Sequence, residues 1–210
     1  MKQTTTVLGS LAAGALVTLA LIWPMHEGAR AAVPQDAGDE AAAMEAWMAA
    51  MNPGPAQQAL ATMVGSWKTT WQHVPAPGMP ASEGTGTTRF EMLLGGRYLR
   101  EETTGTSMGM PFHGIGLTAY DNAKGEWANV WIDNFGTGLT ITRARAAVDD
   151  PMPEFKGSYF DPRFSADVPI RIVHEEMSAD RMRMVMHSTF PGQAEYQSMQ
   201  IEYVREAAAR

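Results

Sequence analysis

Glu101 and Asp133 are the residues whose placement asks most for chemistry. Trp127, Asn129, Trp131 and Asp133 alternate with Ala128, Val130 and Ile132, so two indoles, an amide and a carboxylate share one strand face. Leu99 is in phase with Arg97 and Glu101 on another strand. If those faces point inward, each carboxyl loses water and must find a partner or shift its pKa upward. Arg97 and Arg143 are in-phase partners on nearby strands, which makes an internal ion pair one reading. The other is a polar anchor for a ligand, or a general acid or base. Trp131, Asp133 and Asn134 together suit a pocket with an apolar wall and few placed polar groups. Arg97, Glu101, Tyr120 and Met184 complete the candidate ligand-binding set. No residue is assigned a catalytic role.

Other chemistries find less support. Beyond the N-terminal segment the histidines are His73, His113, His174 and His187, with no HxH or HExxH spacing, so no metal site is predicted. A haem held by one histidine in a barrel mouth is the alternative to having no cofactor, and His113 beside Met108 and Met110 is its candidate. No GxSxG elbow exists, and Ser66 after Gly65 has no adjacent histidine. Cysteine is absent, which removes disulfides, thiol catalysis and thiolate metal sites together. Gly114-x-Gly116 lies within a strand with no helix after it. It therefore reads as room for close approach rather than a phosphate loop.

The elements that must position these residues are strands. Residues 112–138 read strand, turn, strand, turn, and Asp121-Asn122-Ala123-Lys124-Gly125 forms the hairpin loop. Ser66–Val74, Ser82–Met92, Arg97–Thr104, Leu139–Ala146, Glu154–Phe160, Val168–Glu176, Arg181–Phe190 and Glu195–Val204 supply the rest. Residues 105–111 (GTSMGMP) read as a rim loop. Arg181–Phe190 alternates most cleanly, with Met182, Met184 and Met186 in and Arg181, Arg183 and His187 out. About ten short strands joined by turns, with no helix between them, predict an all-β antiparallel up-and-down barrel. Closure leaves no free edge. Two short helices precede it. Glu40–Met51 carries Met44, Trp47, Met48 and Met51 at helical spacing. Ala56–Val64 carries Ala59, Leu60, Met63 and Val64 as a cap over one barrel end.

Length and charge set the bounds. The chain has 210 residues, 45% hydrophobic and 19% charged, enough for one domain with a real core. A net charge of −7 without a basic run argues against nucleic acid and against adhesion to anionic lipid. Lys2, the apolar run Val7–Trp23, and Ala29-Arg30-Ala31 read as a signal peptide cut after Ala31. The expected product is exported, periplasmic or secreted, with no membrane contact once the signal is removed. The alternative is an uncleaved anchor. The domain plan is then 1–31 signal peptide, 32–55 linker and short helix, 56–206 barrel and 207–210 polar tail.

A resemblance covers most of this plan. Pro53-Gly54, Leu60, Val64-Gly65-Ser66-Trp67-Lys68-Thr69-Thr70, Leu94-Gly95-Gly96-Arg97-Tyr98-Leu99, the run from Met110 to Asn122, Trp131-Ile132-Asp133-Asn134-Phe135-Gly136-Thr137-Gly138 and Met199-Gln200-Ile201-Glu202-Tyr203 stand in this order. Residues 44–206 thereby resemble the domain of unknown function 1579 family of bacterial proteins. The resemblance implies a lipocalin-like, calycin-type β-barrel and no established activity. It also makes Trp67 a structural plug. One departure stands out: the family pattern leads to a histidine shortly after Pro-Gly, where this chain has Gln57 and Gln58. A metal or proton-transfer role at that position is therefore not expected here. Three functions follow in order: a small, mainly apolar ligand bound in the lumen; a structural or interaction barrel with a filled interior; and an enzyme using lumen carboxylates. Oligomeric state is not legible.

Overall fold

The computed structural model describes residues 37–146, 148 and 153–207. The expected signal peptide and residues 208–210 of the expected tail lie outside the described residues. Two helices, α1 (Ala37–Met51) and α2 (Pro55–Ala61), precede ten strands. These are β1 (Gly65–His73), β2 (Ser82–Leu93), β3 (Tyr98–Ser107), β4 (Met110–Asp121), β5 (Glu126–Asp133), β6 (Thr140–Ala144), β7 (Phe155–Asp161), β8 (Ala166–Met177), β9 (Arg181–Ser188) and β10 (Tyr196–Arg205). Each strand pairs antiparallel with its neighbour in sequence, and β1 pairs with β10 to close the barrel. The register at the closure sets Thr69 opposite Tyr203 and Trp71 opposite Ile201. Among the described residues no helix is long and apolar enough to cross a membrane.

The alternations turn as expected. Met182, Met184 and Met186 face the lumen, as do Phe155 and Tyr159 of β7 and Met199, Ile201 and Tyr203 of β10. The outward faces carry ion pairs: Arg100 with Glu91 and Glu102 at 2.6 and 2.7 Å, and Arg171 with Glu154 and Glu195 at 3.1 and 2.7 Å. Asp121 closes the β4–β5 hairpin by accepting from the backbone N–H groups of Ala123 and Lys124 at 3.0 and 3.2 Å. Gly125 follows at φ +61°, the conformation that favours glycine.

Two expectations are corrected. Residues 105–111 are not a loop. β3 and β4 stay paired through Ser107–Met110, and only Met108 and Gly109 turn, both at positive φ. A two-residue turn of this hand matches strand twist, so the ladder overrides the weak strand propensity of the glycines. The second concerns the N-terminal helices: Met44, Trp47, Met48 and Met51 of α1 are exposed, at 57, 57, 50 and 46%, so that face of α1 is not buried on the barrel.

The cap is α2 alone. Ala56, Leu60 and Met63 are buried against Trp67, Phe90, Leu99 and Trp127. Pro55 opens the helix, where a missing N–H costs nothing. Gln57 fastens it: its Oε1 accepts from Gly54 N–H at 2.8 Å and its Nε2 donates to the Tyr120 carbonyl at 3.1 Å. Trp67 is fully buried as the plug, donating from Nε1 to the Met63 carbonyl at 2.9 Å. Arg205 lies over its ring at 4.1 Å from the centroid. Val64, expected in the cap, is 41% exposed because the helix ends at Ala61.

Candidate functional site

Above this packed end the lumen stays open. A cavity of about 410 Å³ runs from Met63 to His73, Met108 and Phe135 at the opposite rim. Met108 and Phe135 line it and also meet solvent, so it opens on their side. That size falls within the usual range for small-molecule pockets. Most of the wall is thioether, aliphatic or aromatic, and among the described residues no lysine or arginine lines it.

Two indoles shape the mouth. Trp131 lies against the backbone of Gly114, where a Cβ would come within 2.3 Å of the ring. Phe112 stacks on Trp131 with centroids 6.5 Å apart, and stands 5.4 Å from Trp71 and 5.3 Å from Phe135. Each indole N–H is used: Trp131 donates to Asp133 Oδ2 at 2.9 Å and Trp71 to Ser107 Oγ at 3.2 Å. Asp133 Oδ1 also accepts from Phe135 N–H at 2.9 Å.

Deeper in, Glu101 sits in the wall with uncharged partners. Tyr203 donates to its Oε1 at 3.2 Å and Thr103 to the same oxygen at 3.3 Å. Thr103, Thr88 and Thr69 continue the polar row through buried 2.7 Å hydroxyl contacts. Burial pushes the Glu101 carboxyl up to about 7, against the opposing pull of these hydrogen bonds. Burial, then the nearby carboxyl, drives the Tyr203 phenol upward as well. On the facing wall burial lowers His174 to about 4. Its Nδ1 and the Thr142 hydroxyl, both on cavity-lining residues, have no protein partner. A third wall group, Asn129, donates to Thr118 Oγ1 at 2.9 Å.

The expected site residues therefore divide. Glu101, Trp131, Asp133 and Met184 line the cavity. Arg97 does not: it follows the β2–β3 turn and donates to the carbonyls of Leu94 and Met51 at 3.1 and 3.0 Å. Arg143 faces out, 2.7 Å from Glu126, so neither arginine pairs with a lumen carboxyl. Asn134 is exposed and ties the rim, accepting from His113 N–H and donating to the Pro111 carbonyl. Tyr120 packs on Trp127 at 4.9 Å near α2, outside the cavity. His113 is half-exposed on the outer face, 3.0 Å from Glu102, because β4 alternation directs it away from the lumen. The haem candidate is thus not in the mouth. Among the described residues no group of three or more histidines, aspartates and glutamates could hold a metal ion. The structure adds Tyr203, His174 and Thr142 to the candidates. In the sequence Tyr203 stands only within the last family motif and His174 only among the scattered histidines, and Thr142 carries no signal.

One solved structure supports this architecture. The crystal structure of Rv2717c from M. tuberculosis superposes with a TM-score of 0.56 at 17% identity, covering 74% of this chain and all (100%) of that one. An S-type phycobiliprotein lyase, CPES, from Guillardia theta gives 0.46 at 12% identity, covering 73% and 93%. The first is a likeness of fold alone. No curated protein matches the chain. The family model described as "Protein of unknown function (DUF1579)" matches residues 52–205, from the cap to the end of β10, and the chain belongs to that family.

Proposed function

We propose that the protein holds a small, mainly apolar molecule in its barrel lumen. The observation that carries this reading is the cavity of about 410 Å³, walled by thioethers and rings and open beside Met108 and Phe135. A barrel filled by its own side chains fits the α2 end and not the rest. Titration with a neutral apolar dye, fatty acids, neutral lipids, long-chain alkylammonium ions and haem, followed by tryptophan emission, tests the reading. Trp71 and Trp131 line the cavity, so a saturable change is expected with at least one class. No change with any of them overturns it.

A second reading rests on one contact. Glu101 and Tyr203 are titratable groups 3.2 Å apart beside the cavity, and Glu101 at about 7 has the proton affinity a general acid or base needs near neutral pH. Mass spectrometry of a bound molecule after prolonged incubation separates the two. A binding protein returns it unaltered. Chemical change in the wild type that is lost in Glu101→Gln establishes the enzyme reading.

A further inference from the structure

The charges inside the lumen are one-sided. Its ionisable groups are Glu101, Asp133, His73, His174, Tyr159 and Tyr203. Burial lowers both histidines, and Arg163 adds to the effect on His73. An anionic ligand would leave water and meet no cation there. Arg163, whose charge bears on His73 at this rim, is held by Asp161 at 2.6 Å and lies over Phe164 and Phe190. Asp133 is the opposite case. It is a half-buried carboxylate lining the mouth, it receives the Trp131 and Phe135 N–H groups, and among the described residues no side-chain cation is paired with it. The Trp131 indole meets it through its N–H edge, and Phe112, 6.5 Å from Trp131 and 5.3 Å from Phe135 between centroids, extends the aromatic lining of the same mouth. A carboxylate at a mouth lined by aromatic rings is an environment in which an organic cation loses little on leaving water, because carboxylate and ring quadrupole both favour positive charge.

We propose that the ligand is an amine: an apolar body fills the lumen, and a protonated or quaternary nitrogen sits at the mouth against Asp133 and the Trp131, Phe112 and Phe135 rings. This rests on the lumen-binding reading above and adds the chemical class. It sets the protein apart from a carrier of fatty-acid anions, whose head group would need a cation in the wall.

One chain with three heads tests it. Dodecyltrimethylammonium, dodecanol and dodecanoate, each kept below its aggregation concentration, compete against a neutral apolar dye, N-phenyl-1-naphthylamine, on the wild-type protein. The ammonium is expected to bind about tenfold tighter than the alcohol, and the carboxylate weakest. Asp133→Asn should bring the ammonium-to-alcohol ratio near one. Should that variant not fold, the same ratio in the wild type must fall as salt rises, as pairing at a partly exposed carboxylate requires. Alcohol or carboxylate binding as tightly as the ammonium overturns the proposal while the dye signal leaves lumen binding standing. A preference that survives in folded Asp133→Asn, or that salt does not touch, overturns it too. Absence of any binding, dye included, overturns both.

Discussion

The Tyr203 hydroxyl donates to Glu101 Oε1 at 3.2 Å, joining strands β10 and β3 across two intervening strands. The contact is made where no arginine reaches, so the carboxyl is held by neutral donors and keeps its proton to about 7.

That proton has a thermodynamic consequence. Raised in the folded state, Glu101 stabilises the fold at low pH and loses that contribution as pH climbs from its ordinary 4.5 toward 7. His174 acts in reverse: lowered to about 4, it stabilises fully above 6.5 and loses that as pH falls. Between pH 5 and 6.5 the two slopes oppose. Urea unfolding of Glu101→Gln should therefore show stability rising with pH over this range. His174→Gln should show it falling toward pH 7, by about 3 kcal/mol at most. Parallel curves for wild type and both variants would contradict the assignment.

Much of this was legible beforehand, and the exceptions have physical causes. Period-two alternation grouped Met182, Met184 and Met186 on one inward face and Trp131 with Asp133 on another face, because a strand leaves only two choices; that the second face also turns inward came from the structure. Arg97 shared that period with Leu99 and Glu101, yet it sits at the strand end, where the turn rather than the pleat aims the side chain. The partners of Glu101 were not legible. Tyr203 lies 102 residues away in sequence and meets it only through closure of the barrel.

Replacing Gly114 by alanine should test how the mouth is kept open. The new Cβ would fall 2.3 Å from Trp131 Cζ2, so the indole must swing into the lumen. Dye binding should weaken at least about tenfold, and the emission of Trp131 should shift. Unchanged binding would mean that the ring does not set the opening.

The cap and the lumen wall should respond differently to truncation. Leu60 is fully buried in α2, and Leu60→Ala should cost about 3 kcal/mol in urea unfolding. Met184→Ala, beside existing empty space, should cost about 2 kcal/mol or less. Equal costs would show that the interior is uniformly packed.

Gln57, one of the two glutamines after Pro-Gly, has a mechanical role: it ties the start of α2 to β4. Gln57→Ala strands the Gly54 N–H and the Tyr120 carbonyl and should destabilise the fold by about 1–2 kcal/mol, read as a lower thermal midpoint. A silent substitution would mean that α2 is held by apolar packing alone.

Pairing of β1 with β10 also brings the two ends of the barrel chain side by side: Trp67 faces Arg205, and Glu206 N–H donates to the Ser66 carbonyl at 2.9 Å. A peptide linker could join the chain after Glu206 to residues ahead of α2, which keeps the cap, and the backbone could then be opened at an exposed turn such as Gly192, on the rim away from α2. Such a circular permutant would place both new termini beside the entrance, where a fused tag could sense whether the interior is occupied.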